Sequence, residues 1–307
     1  HFWAVELPEE GAPDPQAGGL PDIWGLEPPR RAPLPRQVGL VSDVVASPTD
    51  ELGVAVTTHT MELFILRLEA SGPPGPSRRL SVEEAVFVAR SPFGPEGISD
   101  VSWSFDGRWV AYRRQAAQDT PGPTGIWVYD TKAATGEAAP VCLTEQRFED
   151  ASPTFDPAGN YLAFISKRAL LPVPDEVTGA IGFGTGAQRP LLLLLREDAR
   201  NPLLRKPRAP AAQDEESEED EPPAEAEEDD PRGGPDHQDE DPPPPRVNIE
   251  AAGASGRILE LPVQAGRYSR IYAIENGLVY LREDSTKPPP TDEDEDTSGS
   301  VFVYRFR

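Results

Sequence analysis

Three histidines, one cysteine and one run of alternating glycines are the residues of this chain whose types could do chemistry. His1, His59 and His237 stand in unrelated contexts, with no HExxH or HxH pair, so no histidine metal pair and no Ser/His/acid set can be assembled. Cys142 is the only cysteine, which excludes an intrachain disulfide and a multi-cysteine metal site and fits a reducing compartment. It lies in the apolar run Pro140-Val141-Cys142-Leu143-Thr144, which places it in the core. Gly182, Gly184 and Gly186 spell GxGxG, but no Lys-Ser/Thr follows and no βαβ unit surrounds them. A surface loop is the better reading than a phosphate cradle. The sequence therefore offers no catalytic, cofactor-binding or metal-binding residue.

What must position any function is a repeated unit. The stretch Glu149–Ser166, EDASPTFDPAGNYLAFIS, echoes Ser99–Tyr112, SDVSWSFDGRWVAY. Laid over each other, Asp150 meets Asp100, Phe155 meets Phe105 and Asp156 meets Asp106. After a two-residue insertion, Pro157-Ala158, Gly159 meets Gly107 and Tyr161–Phe164 meets Trp109–Tyr112. Aspartate and glycine supply a tight turn, and the aromatic and β-branched run after it reads as a strand. A further strand follows each copy, Gly125–Asp130 and Pro190–Leu195. Strand, turn, strand, gap and strand at a period near 50 is the pattern of four-stranded propeller blades.

Other segments read as worn copies. Ser42–Asp50 occupies the place of the blade turn, with Gly53–Val56 and Met61–Leu68 as strands after it. Val247–Leu261 resumes as strand. Tyr268–Ile274 and Leu278–Leu281 flank Glu275-Asn276-Gly277, a hairpin signal, and Val301–Phe306 is a last strand. No stretch reads as a long helix. The expected organisation is a terminal strand and a Pro/Gly-rich loop over 1–36, blades over 37–200, a disordered acidic, proline-rich insertion over 201–246, and a further blade over 247–307. The fold class is all-β, a propeller of about four blades forming part of a larger ring. Such an arc leaves two open sheet edges and an exposed apolar flank, so aggregation or pairing with a missing segment is expected.

The net charge of −24 is concentrated. Residues 214–241 hold 16 acidic residues and one arginine; without them, 28 basic against 37 acidic residues leave −9, and without 292–296 as well, −4. The acidic tract has too little apolar content to offset its ordering entropy. With no basic cluster in the remainder, a nucleic-acid partner is not indicated. Leu191–Leu195 is the longest apolar run and far too short to span a membrane.

From Thr144 to Arg168, TEQRFEDASPTFDPAGNYLAFISKR, the chain resembles the later propeller blades of tricorn proteases and their homologues. The likeness continues through Gly-Phe-Gly at 182–184, Arg189-Pro190-Leu191, the acidic insertion and Leu261–Ser269, and covers roughly residues 38–307. The resemblance implies part of a seven-bladed propeller in a cytoplasmic, oligomeric serine protease that trims peptides. The propeller would gate or channel peptides. The catalytic serine and histidine would lie in core domains after the propeller, so no catalytic residue is carried onto this chain. Expected partners are peptides or protein, the other domains of such a protease, and other copies of the chain, with no cofactor, membrane or nucleic acid. A stand-alone interaction propeller is the alternative. The gating propeller of an α/β-hydrolase is a third reading, but the GxSxG elbow is absent.

Overall fold

The computed structural model describes residues 2–4, 30–50, 52–71, 79–91, 97–115, 123–133, 139–169, 172–174, 181–183, 187–204, 245–283 and 299–306. The acidic stretch 205–244, Gly184, Gly186, His1 and His237 lie outside these residues. The strands in chain order are β1 (Phe2–Ala4), β2 (Arg30–Ala32), β3 (Val41–Ala46), β4 (Gly53–Thr58), β5 (Glu62–Ser71), β6 (Arg79–Arg90), β7 (Ile98–Trp103), β8 (Trp109–Gln115), β9 (Thr124–Asp130) and β10 (Val141–Cys142). They continue with β11 (Asp150–Phe155), β12 (Tyr161–Ser166), β13 (Pro172–Pro174), β14 (Ile181–Phe183), β15 (Arg189–Leu194), β16 (Ile258–Glu260), β17 (Arg267–Ile274), β18 (Gly277–Glu283) and β19 (Gly299–Arg305). Among the described residues the only helical turns are two short 3₁₀ turns.

Antiparallel pairing groups these strands into blades. β3-β4-β5-β6, β7-β8-β9-β10 and β11-β12-β15-β16 are four-stranded, and β17-β18-β19 has three described strands. β1 pairs with β2, so the leading strand and part of the expected loop form a small ladder of their own. The first strands of successive blades lie side by side, β3 by β7, β7 by β11 and β11 by β17. They line the concave side of an arc of four blades.

Each middle blade is buried on both faces, and its strands alternate side chains between the two neighbours. Leu191 and Leu193 of β15, with Leu195 just after it, pack with Ala111, Ile126 and Val128 of the second blade. Leu192 and Leu194 pack with Tyr268, Ile271 and Tyr280 of the fourth. This explains why the run is uniformly apolar rather than alternating. The first and second blades meet through Leu63, Ala89, Val110 and Tyr112.

The structure corrects the register of the repeat. The irregularity in the innermost strand falls between Ser99 and Ser102 in one blade and between Ala151 and Thr154 in the next. Asp100 (φ 54°) and Ser152 (φ 53°) are both left-handed there, and Gly107 (φ 64°) and Gly159 (φ 73°) are left-handed in the turns. A constant offset of 52 fits every one of these positions, without an insertion. Ser104 therefore corresponds to Asp156, and Asp106 to Ala158. Both turns close with the same bonds, Gly107 N to Ser104 O and Gly159 N to Asp156 O, each 2.9 Å. The backbone conformation sets the repeat, and the aspartate moves within it. In the second blade Asp106 Oδ1 accepts the Arg108 amide (3.2 Å); in the third, Asp156 Oδ2 accepts the equivalent Asn160 amide (3.0 Å).

Three further expectations change. Ser42–Ala46 belongs to strand β3, and the turn is confined to the residues after it. Val247–Leu261 is largely irregular, with strand only at Ile258–Glu260. The Asn-Gly pair does mark a hairpin, but Glu275 and Asn276 (φ 52°) form its loop while Gly277 pairs with Ile274. Gly277 is needed for close approach: a Cβ there would lie 2.3 Å from Tyr304 O of β19.

The face of the fourth blade turned away from the third is apolar and open. Tyr272, Val301 and Val303 are 56%, 70% and 58% exposed, and Val279 and Leu281 pair beside them. We predict that the chain self-associates through this face. Replacing Val301→Lys and Val303→Lys should shift it toward monomer in sedimentation velocity with an unchanged circular dichroism spectrum. Unchanged association would place the contact elsewhere.

Candidate functional site

Strand alternation puts the β3–β4, β7–β8, β11–β12 and β17–β18 turns on one rim of the arc. The β15–β16 connection, which carries the acidic insertion, leaves from the same rim, because the end of β15 pairs with the start of β12 through Leu194 and Tyr161. Function is therefore sought on this rim and on the concave wall behind it.

Asp106 is the hub of the rim. Its Oδ1 accepts the Ser104 hydroxyl (2.6 Å) and the Arg108 amide, and its Oδ2 accepts the amide of Val247 (2.8 Å). The Trp109 indole N–H donates to Val247 O (3.0 Å). The segment that returns from the acidic insertion is thus strapped into the seam between the second and third blades, with Val247 fully buried. Glu250 N donates to Leu195 O (2.8 Å) and holds the strap's other end. Arg108 chelates Asp130 (Nη2–Oδ2 2.7 Å) and lies over the Trp109 ring at 5.3 Å. Its hydrogen bond to Asp130 raises the guanidinium's pKa above its ordinary value.

The innermost strands are stitched to one another by single side-chain bonds. Trp103 Nε1 donates to Val45 O (3.0 Å), Asp100 Oδ2 accepts the Ser152 amide (2.9 Å), and Thr154 Oγ1 accepts the Ala273 amide (3.3 Å). One of these stitches comes from the bulges, which turn Asp100 and Ser152 toward each other. Ser42, Asp43, Ser269 and Arg270 are exposed on the innermost strands of the first and fourth blades.

On the opposite rim a buried ion pair anchors β12. Asp150, with a side chain 1% exposed, accepts from Arg168 Nη2 (3.1 Å), while Arg168 Nε donates to Ser166 Oγ (2.8 Å). The guanidinium lies between the Phe148 and Phe164 rings at 4.8 and 5.7 Å. Burial raises the Asp150 carboxyl above its ordinary 3.8, with Ser166 and Arg168 working against that rise. A raised folded pKa contributes stability below pH 3.8 that is lost as pH climbs through the folded value.

The residues singled out from sequence do not converge. His59 is exposed in the β4–β5 turn, and Gly182 pairs with Val173 in the β13–β14 hairpin. Cys142 is half-buried on the outer strand of the second blade rather than fully in the core, with Sγ bonded to Thr144 O (2.6 Å). Burial pushes its thiol up to about 11, so it is a poor nucleophile at neutral pH. Among the described residues no group of three His, Cys, Asp or Glu is disposed to hold a metal, and no helix is long and apolar enough to cross a membrane. The Asp106–Val247 strap was not legible in sequence, since its partners stand 141 residues apart.

A blade built from four antiparallel strands, repeated around a concave wall, defines a β-propeller. The comparisons narrow the class. The family model for the tricorn protease second beta propeller domain matches residues 28–307, and the chain belongs to this family. Tricorn protease homolog 1 of Streptomyces coelicolor is 30% identical over 254 residues, covering 81% of this chain and 20% of the relative. Putative tricorn protease homolog 2 of the same organism is 30% identical over 206 residues, covering 64% and 15%. The crystal structure of the tricorn protease superposes with a TM-score of 0.58 at 19% identity, over 87% of this chain and 21% of that one, a likeness of fold. The chain thus spans about a fifth of the relatives it matches.

Two outcomes test this geometry. Arg168→Met should cost about 3 kcal/mol in urea unfolding at pH 7, because it leaves a buried carboxylate unpaired. The cost should shrink as pH falls and Asp150, its carboxyl raised by burial, takes up a proton, and most of the lost stability should return in the Arg168→Met, Asp150→Asn double variant. Asp106→Ala should cost about 1–2 kcal/mol and speed hydrogen exchange at the Val247 amide; unchanged exchange there would show that the strap is held by packing alone.

Proposed function

We propose that this chain is the non-catalytic propeller segment of a tricorn-like serine protease that trims oligopeptides in the cytoplasm, and that it gates or channels peptides. The observation that carries the reading is the family match over 28–307. The innermost strands support it: they present Asp43, Ser269 and Arg270 to solvent, and inter-blade bonds at Val45, Ser152 and Ala273 tie those strands to one another. A rigid wall with exposed polar groups can pass an extended peptide without closing on it. Chemistry in this reading belongs to other domains of the protease, and the partners are peptides, those domains and further copies of the protein.

The test uses Ser269→Cys in the complete protease. The native Cys142 thiol, pushed up to about 11 by burial, reacts slowly with a bulky maleimide at neutral pH, and the unsubstituted protease treated alike controls for any other thiol. Labelling should slow turnover of long peptides several-fold while short chromogenic substrates are cleaved as before. Equal rates for long peptides before and after labelling would overturn the channel role. Hydrolysis by the isolated 307-residue chain, abolished by a serine-directed reagent, would overturn its non-catalytic assignment.

A further inference from the structure

Three successive seams open onto the rim of turns, one between each pair of neighbouring blades. They are built from equivalent positions but filled differently. The middle seam is occupied by the chain itself. Val247 enters it, its amide bonded to Asp106 and its carbonyl to the Trp109 indole, and its Cγ2 lies 3.1 Å from where a Cβ on Gly159 would stand. One aliphatic side chain and two main-chain bonds are enough to close a seam.

The third seam, between the third and fourth blades, is edged by the chain leaving β15: Leu203 is half-buried against the same cluster as Tyr161, and its amide bonds within its own turn, to Asn201 Oδ1 (2.9 Å). The seam is a cleft of about 510 Å³, within the range of sites that hold small ligands. By the offset of 52, Ala158 stands where Asp106 does and Tyr161 where Trp109 does. A methyl group replaces the carboxylate that draws the strap in. The Tyr161 hydroxyl donates inward to Gly277 O (3.4 Å). The floor is Tyr161 with Phe306 edge-on to it, ring centroids 5.6 Å apart. Asn276, exposed in the β17–β18 loop, offers a donor and an acceptor at the cleft's edge, the two roles that Asp106 and Trp109 divide in the middle seam.

Charge selects the occupant. Asp156 and Glu275 line the cleft against one cation, Arg200. Asp156 is 4% exposed, and its Oδ2 is bonded to the amide and the carboxamide of Asn160. The first seam differs: it is about 220 Å³, its carboxylates Asp50 and Glu84 are matched by Arg67 and Lys132, and Thr49 crowds Gly107 so closely that a Cβ there would sit 2.0 Å from Thr49 Oγ1. It has neither the room nor the charge excess.

We propose that the third seam is a peptide-binding site on the rim, separate from the concave wall, which takes a polypeptide segment with one aliphatic side chain flanked by basic residues. The aliphatic group lies on Tyr161 and Phe306 as Val247 lies on Gly159, and the basic residues face the exposed Glu275, with the buried Asp156 adding negative potential beneath. This inference does not depend on the channel reading, because it concerns a different surface and uses different variants.

The test is fluorescence anisotropy of the 307-residue chain with three blocked, labelled pentapeptides, Ser-Lys-Val-Lys-Ser, Ser-Lys-Gly-Lys-Ser and Ser-Glu-Val-Glu-Ser. The first should bind best. The glycine peptide, which keeps the charge and loses the side chain, should bind several-fold more weakly, which separates the cleft from general attraction to an acidic protein. The glutamate peptide should bind at least about fivefold more weakly, the scale of an exposed ion pair. Ala158→Phe, an exposed turn position, fills the cleft and should abolish the valine preference with an unchanged melting temperature, whereas Ala158→Ser keeps it. Glu275→Lys should reverse or erase the preference for lysine. The inference fails if no peptide binds at millimolar concentration, if valine and glycine peptides bind alike, or if Ala158→Phe leaves binding intact.

Discussion

A four-stranded sheet with two apolar faces cannot stand alone in water, and everything in this structure follows from covering both faces of each blade. β15 shows the constraint most directly. Its leucines divide alternately between the second and fourth blades, so neither neighbour can be removed without exposing one half of the same strand. Stability is therefore a property of seams between blades rather than of blades. The open face of the fourth blade is the same constraint seen where no neighbour is present among the described residues.

Burial pushes blades together but does not say how far they rotate about one another. That is set by sparse directional bonds on the concave side, where Trp103, Asp100 and Thr154 each reach the backbone of an adjoining blade. The bulges that expose Asp100 and Ser152 carry a left-handed backbone at non-glycine residues, a local cost that the inter-blade bond offsets. The wall is thereby made regular by strained residues at equivalent points.

The rim tolerates variation because its connections leave the ladders intact. Residues 205–244 enter between two strands that remain paired, Leu191 with Glu260 and Leu193 with Ile258. The chain that returns does structural work at once, since Val247 closes the middle seam. An insertion that could have been a passive loop is thus tied at its far end into the core between two blades. The third seam, which keeps an open cleft of about 510 Å³, is the place proposed to accept another chain.

The sequence by itself determined the class of fold and its repeat. Aromatic and β-branched runs, turns near Gly107 and Gly159 and a period near 50 are local signals, and they carried the propeller reading and the family resemblance. It also showed that no catalytic set could be drawn from three scattered histidines. Only the tertiary structure decided the register, because a turn is defined by backbone angles that Ser104, Asp106, Ala158 and Asp156 can serve in different combinations. It alone decided that Gly277 is small for Tyr304's sake and that Val247–Glu250 is a strap rather than a strand. Pairings such as Asp106 with Val247 join residues 141 positions apart, and no local pattern encodes a contact whose partners are brought together only when the blades pack.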